Sequence, residues 1–384
     1  MSASSPASRL RILVSGMLAG DPWQGGATSA VMQYLEGLTR LGHEVALVEP
    51  LPGEAGPLAE SRSAAYFRQL RLSGIAEAAL LAPESRETVG TPYARLADFA
   101  QSADLLLNIS GMLRDQRLIA SIPTRAYFDL DPGFNQVWHE TGEDVGLAGH
   151  THFVTVGLAI GSSECPVPTC GRRWIPSLPP VVLDRWPPAD APRDGDAFTT
   201  VGHWRSYGPV DHGGIRYGQR AHSFRQLFEL PRRARARFRV ALGIHPDEHA
   251  DLEALRANGW ELVDPTAAAG TPERYAEFIR ASKAEIGIPK SGYVASGCGW
   301  FSDRSACYLA SGRPVVAQET GFSRFLPTGE GLFAFGSLDN AAACVEAVEL
   351  DPARHGRAAR AIAEEHLDSD RVLGSLLERL GSSG

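Results

Sequence analysis

The run Ser302, Asp303, Arg304, Ser305 follows the glycine turn "SGCG" and leads into an apolar stretch that stops at Gly312. A helix starting near Ser302 presents free backbone N–H groups and the positive end of its dipole, an arrangement that binds anions. The hydroxyls of Ser302 and Ser305 add donors, and Arg304 adds a charge-assisted fork. Asp303 would repel a phosphate, so its expected role is a ribose hydroxyl contact or an N-cap. Lys290 in "IPKSGY" and Arg205 in "GHWRSYG" each follow an apolar run read as a strand. Two cations and a helix start suit a diphosphate, whose charge needs neutralising when it departs. Arg216 and Gln219 are weaker candidates for the same space. Gly25 and Gly26, before another helix, allow backbone to approach a ligand closely from the opposite side.

A transfer reaction also needs a group to manage the acceptor's proton, and carboxylates and histidines suit that work. Asp21 and His150 rank first, then Asp129, which shares a strand face with Asp131; His152 follows. The bland alternative for each is a capping acid or a satisfied loop histidine. Cys165 and Cys170, in "CPVPTC", lie near His150 and His152, but one pair at that spacing gives no metal site. Glu49 sits where a ribose-binding acid would, yet Gly16, Gly20, Gly25 and Gly26 do not form G-x-G-x-x-G, so a dinucleotide cofactor is not expected.

These residues need elements to hold them. "LRILVSG" is a continuous apolar run suited to a strand covered on both faces. Val31, Tyr34, Leu35, Leu38 and Leu41 then share one helix face, Gly42 closes it, and "HEVALVEP" is the next strand. The alternation continues through "ADLLLNISG", "RAYFDLDP" and "THFVTVG". A proline-rich stretch intervenes, and a second series starts at "AFTTVGHW", with a helix expected over 217–229. "RFRVALGIH", "WELVDP", "AEIGIP", "RPVVAQ" and "GLFAF" follow as strands. The expected fold is α/β, with two doubly wound Rossmann-like domains and a cleft between them. The expected divisions are a first Rossmann-like domain over 9–180, a linker over 181–196, a second over 197–358, and C-terminal helices over 359–384. Ligands of such sheets sit beyond the carboxyl ends of the strands.

The 384 residues, with 43% hydrophobic and 21% charged, suit a two-domain globular protein. A net charge of −8 argues against a broad nucleic-acid surface. Five scattered cysteines do not make a disulfide framework. The opening residues lack a secretory pattern and no run would span a bilayer, so a cytoplasmic location is expected.

The glycine loop after the first strand, the phosphate-binding helix start and "ASGRPVVAQETGF" resemble nucleotide-sugar glycosyltransferases of the GT-B type. Ala310, Gly312, Pro314, Val315, Val316 and Gly321 match that superfamily's A-x-G-x-P-V-V and glycine-loop pattern. "CPVPTCGRRW", "VGHWRSYG" and "CGWFSDRS" resemble a bacterial branch of it. The resemblance covers most of residues 10–380. It implies a nucleotide-sugar donor such as a UDP- or GDP-sugar, a small-molecule or carbohydrate acceptor, no metal and no other cofactor. It also implies that Gly321 lies near the donor sugar and that the final helix crosses back to the first domain. Many retaining relatives carry two glutamates in this segment; here those positions are Gly299 and Cys307. An epimerase or phosphorylase of the same fold, or a non-catalytic sugar- or nucleotide-binding protein, is the alternative.

Overall fold

The computed structural model describes residues 9–18, 23–51, 59–189 and 197–381. Eight strands form a first sheet: β1 (Arg11–Ser15), β2 (Glu44–Pro50), β3 (Glu77–Leu81), β4 (Thr88–Gly90), β5 (Leu105–Ile109), β6 (Thr124–Asp129), β7 (His152–Thr155) and β8 (Trp174–Pro176). Their order is β4-β3-β2-β1-β5-β6-β7-β8, parallel except for β4 at the edge. A two-stranded hairpin, β10 (Val210–His212) and β11 (Ile215–Tyr217), follows β9 (Ala197–His203). β9 belongs to a second sheet with β12 (Arg237–Gly243), β13 (Trp260–Leu262), β14 (Ala284–Gly287), β15 (Val315–Gln318) and β16 (Leu332–Phe335). That sheet is wholly parallel, in the order β13-β12-β9-β14-β15-β16. In both sheets the chain starts centrally, winds outward, then returns to the other side of its first strand. The switch points lie at β1/β5 and β9/β14, where loops diverge and leave a crevice.

The hydrophobic runs are buried as continuous strands should be: Ile12, Leu13 and Val14 of β1 are wholly buried, as are Val315 and Val316 of β15. β4, β8 and the hairpin carry no strong run of their own; β3 does, in the buried Ala78, Ala79, Leu80 and Leu81, yet it too lies outside the strands expected above. The helix expected over 217–229 forms within that range as the shorter Arg220–Arg225, and a second short helix, Leu230–Ala234, follows it. Leu373, Leu376 and Leu380 of the last helix, Ser369–Gly381, join the core built on β1, β2 and β5. A further aromatic cluster combines Tyr127, Phe134 and Trp174 from the first half with Tyr217 and Tyr293 from the second. Gly157 and Trp300 form an antiparallel bridge between the halves, and Ala159 N donates to Cys298 O at 2.9 Å.

Candidate active site

A cavity of about 590 Å³ lies at the carboxyl ends of β9 and β12, within the size range of small-molecule sites. Trp23, Gln24, Gly25 and Gly26 line it from the first half. Val201, Gly202 and His203 at the end of β9, Gly243 at the end of β12, and Asp303 with Arg304 line it from the second. Gly25 is dictated by proximity, since a Cβ there would stand 2.2 Å from the Thr271 carbonyl oxygen. Gly26 packs on the Tyr275 ring. The glycine pair therefore lets the helix Gly25–Arg40 abut the second half directly.

The helix Asp303–Ala310 starts at this cavity. Ser302 is its N-cap, and the Ser302 hydroxyl accepts from the Arg304 backbone N–H at 3.2 Å. Ser302 and Ser305 are buried. Asp303 is open to water in the cavity, but the enclosing protein still raises its pKa by desolvation, opposed by Arg304. Arg304 is buried; its Nε donates to Glu285 Oε1 at 2.5 Å and its Nη1 to the Val201 carbonyl at 2.8 Å. Burial works against that guanidinium's charge, but Glu285 outweighs it and the pKa is raised.

A second guanidinium meets the same carbonyl. Arg220 Nη1 lies 3.4 Å from Val201 O and packs so tightly on Gly202 that a Cβ there would sit 1.6 Å from it. Burial, then the charge of Arg304, lowers the Arg220 pKa to about 9. Its Nε is buried with no hydrogen-bond partner. Only Arg304 of the two has a carboxylate bonded to it among the described residues. Glu285 and Asp303 offset the charge of both guanidiniums, but only Arg304 is bonded to one of these acids, and the Arg220 Nε is left as a donor without an acceptor among the described residues. Arg220 was not foreseen. The sequence signal is a cation in "RYGQRAHSF", the stretch that also holds the weaker candidates Arg216 and Gln219. Arg216 pairs with Asp211 within the hairpin at 3.1 Å, and Gln219 Oε1 accepts from Ser206 N at 3.1 Å.

Arg220 stands behind this lining, against Val201 and Gly202, and the structure brings neither Lys290 nor Arg205 to it. Lys290 Nζ is bound to Asp131 Oδ2 at 2.7 Å and stands 4.9, 4.3 and 5.6 Å from the ring centres of Phe134, Tyr207 and Tyr293. The phenols of Tyr207 and Tyr293 also donate to Asp131. Desolvation lowers the Lys290 pKa, opposed by Asp131. Arg205 is held by Glu248, with Nη2–Oε2 at 3.4 Å. In each case a carboxylate distant in sequence turns the cation away.

The proposed proton acceptors also have other partners. Asp129 is fully buried and accepts from Asn135 Nδ2 at 2.6 Å, Gln136 Nε2 at 2.8 Å, Thr155 Oγ1 at 2.8 Å and Asp131 N at 3.0 Å. Burial raises its pKa against those four donors. It anchors the start of the helix Phe134–Glu140 to β6 and β7. His150 Nε2 lies 3.1 Å from Asn108 Nδ2 with its ring edge-on to Tyr127, and burial lowers its pKa. Asp21 lies outside the described residues. Gly321 has φ 96°, which favours glycine, and its N–H donates to Glu319. Cys165 and Cys170 are free thiols, and no group of three or more metal-ligating side chains gathers among the described residues.

No protein-family model matches the chain, and no curated protein sequence does. Solved structures match over almost its whole length. An alpha-glucosyltransferase in complex with UDP-glucose and DNA matches with a TM-score of 0.63 at 11% identity, covering 97% of this chain and 100% of that one. HepE of Anabaena, in complex with UDP and glucose, matches with a TM-score of 0.60 at 14% identity, covering 97% and 100%. A glycosyltransferase from Rickettsia africae matches with a TM-score of 0.56 at 11% identity, covering 98% and 99%. The chain has the GT-B glycosyltransferase fold.

Proposed function

We propose that this chain is a glycosyltransferase that moves a sugar from a nucleoside diphosphate donor, bound in the 590 Å³ cavity, to an acceptor facing the first sheet. The observation that carries this reading is the Arg220–Arg304 pair converging on Val201 O beside a helix start. The diphosphate lies against these guanidiniums and the N–H groups of the first helical turn. Asp303 takes a ribose hydroxyl, which a carboxylate can accept from without facing a phosphate. As the anomeric carbon–oxygen bond breaks, charge develops on the diphosphate and the two arginines neutralise it, without calling on a metal. The acceptor oxygen bonds to the anomeric carbon, and its proton passes to the departing phosphate oxygen. UDP in the neighbouring structures makes a uridine donor the first to try. Their DNA is not carried over, because a net charge of −8 gives a duplex no broad cationic surface.

The test is a thermal-shift panel of UDP, GDP, dTDP and ADP on the parent and on Arg220→Met, followed by donor hydrolysis assays. A nucleotide at a hundredfold excess over its dissociation constant stabilises the native state by about 2.7 kcal/mol. Arg220→Met removes a half-buried cation that no carboxylate is bonded to among the described residues, so its unliganded Tm should stay near the parent's while the nucleotide shift disappears. A variant responding like the parent places the phosphate elsewhere. Binding without donor hydrolysis or transfer would favour the non-catalytic reading.

A further inference from the structure

Trp23 carries two costs at once. Its indole is 64% exposed, so its apolar area gains nothing from a core. Its φ is 81°, a left-handed backbone that a bulky side chain adopts only under strain. Both occur at the wall of the nucleotide cavity, directly before the glycine pair that fixes the helix Gly25–Arg40 against the second half. The close approach of Gly25 to Ala269 O and Thr271 O, where a Cβ would stand 2.6 and 2.2 Å away, brings the chain around Trp23 alongside the segment 265–271. Pro265 and Thr266 of that segment, with Gly243, line the same cavity and offer small side chains and backbone. The cations Arg220 and Arg304 gather instead at the β9 carbonyl of Val201. A nucleoside diphosphate with its phosphates on those cations directs its base toward the uncharged part of the lining.

We propose that Trp23 stacks on the nucleobase, closing the cavity from the first half while Pro265 and Thr266 bound it from the second. This rests on the proposed nucleotide site and adds the residue that couples base binding to the first domain. A flat aromatic face recognises any planar base, so Trp23 supplies affinity and contact between the halves, with base identity read by the backbone opposite.

The experiment is calorimetric titration of UDP, and separately of inorganic pyrophosphate, into the full chain and into Trp23→Ala and Trp23→Phe. Because the side chain is exposed, both variants should keep the parent's Tm. Trp23→Ala should bind UDP roughly 5- to 100-fold more weakly, the range that loss of one base-stacking ring produces. Trp23→Phe should recover most of that loss, and pyrophosphate affinity should not change. Unaltered UDP binding in Trp23→Ala overturns the stacking role and leaves the nucleotide site standing. An equal loss for UDP and pyrophosphate also overturns it, showing that Trp23 shapes the loop and not the base contact. A parent that binds pyrophosphate but no nucleotide overturns both readings. A raised acceptor KM with unchanged UDP affinity would reassign the ring to the acceptor sugar and likewise end the proposal.

Discussion

Breaking the Lys290–Asp131 pair should loosen one half of the molecule from the other. Asp131 belongs to the loop after β6, whereas Lys290, Tyr207 and Tyr293 all come from the second half. At 2.7 Å and an effective dielectric of about 20, the gross attraction is ~6 kcal/mol. Desolvation offsets much of that, but the offset is incurred only while both charges stay buried. Removing one partner strands the other, which typically costs ~3–5 kcal/mol. Lys290→Met keeps the length and leaves Asp131 with two phenol donors, so its loss belongs at the lower end. Asp131→Asn leaves an ammonium among three rings with no carboxylate, only cation–π attraction and the Tyr207 hydroxyl it donates to, and belongs at the upper end. The double variant strands neither charge and should lose less than the sum of the two. The assay is urea unfolding of all four chains, with small-angle scattering on each to detect separation of the halves. The single variants should lose ~3 kcal/mol or more and the cycle should show a coupling of ~2 kcal/mol, well beyond the ~0.5 kcal/mol expected of independent sites. Additive losses would refute the pairing as the source of the stability, and an unchanged radius of gyration in Asp131→Asn would refute its role in docking.

Two other perturbations follow from the same geometry. Gly25→Ala would drive a methyl to 2.2 Å from the Thr271 carbonyl oxygen, so it should cost ~1–3 kcal/mol in a melt and weaken nucleotide binding by widening the cavity. Gly26→Ala meets only the Tyr275 ring at 3.2 Å and should cost less; equal costs would show that the halves shift freely here. His150, whose pKa burial lowers, stays neutral in the folded chain while its unfolded counterpart titrates near 6.5. The unfolded state then binds more protons, so stability is retained above pH 6.5 and falls as the pH drops from there toward the lowered native value. His150→Gln should flatten that slope in melts between pH 7 and 5, and an identical slope would refute the assignment.

The fold was legible because each half repeats apolar runs ending in glycine or proline and helices with a single buried face. "LRILVSG" and "RPVVAQ" need no tertiary information to be read as buried parallel strands. Short edge strands such as Thr88–Gly90 escaped because their pairing comes from β3 and not from their own pattern. The helix start at Ser302 was legible for a similar reason, since a serine cap and an apolar helix face are local properties. Gly25 and Gly26 line the cavity, but nothing in their spacing shows that they also seat one half on the other. Asp129 was read for its position at a strand end, and nothing in the chain announced that Asn135, Gln136 and Thr155 would claim its carboxylate.

What local pattern did not determine was which cation turns toward the ligand. Arg205, Lys290 and Arg304 all lie at strand or helix ends of the second half, and each is matched by an acid that only folding brings near: Glu248, Asp131 and Glu285 respectively. Glu285 differs from the other two acids in its effect. The cation it binds, Arg304, lines the cavity, whereas the cations bound by Asp131 and Glu248 do not. Arg220 reaches the same carbonyl after the inserted hairpin β10–β11 and is the member of this set with no carboxylate bonded to it among the described residues. A cation left unpaired inside a protein is costly unless something outside the chain completes it. The residue easiest to overlook in sequence is thus the one whose guanidinium keeps an unpartnered Nε, and under the proposed function a diphosphate is the anion that meets both guanidiniums.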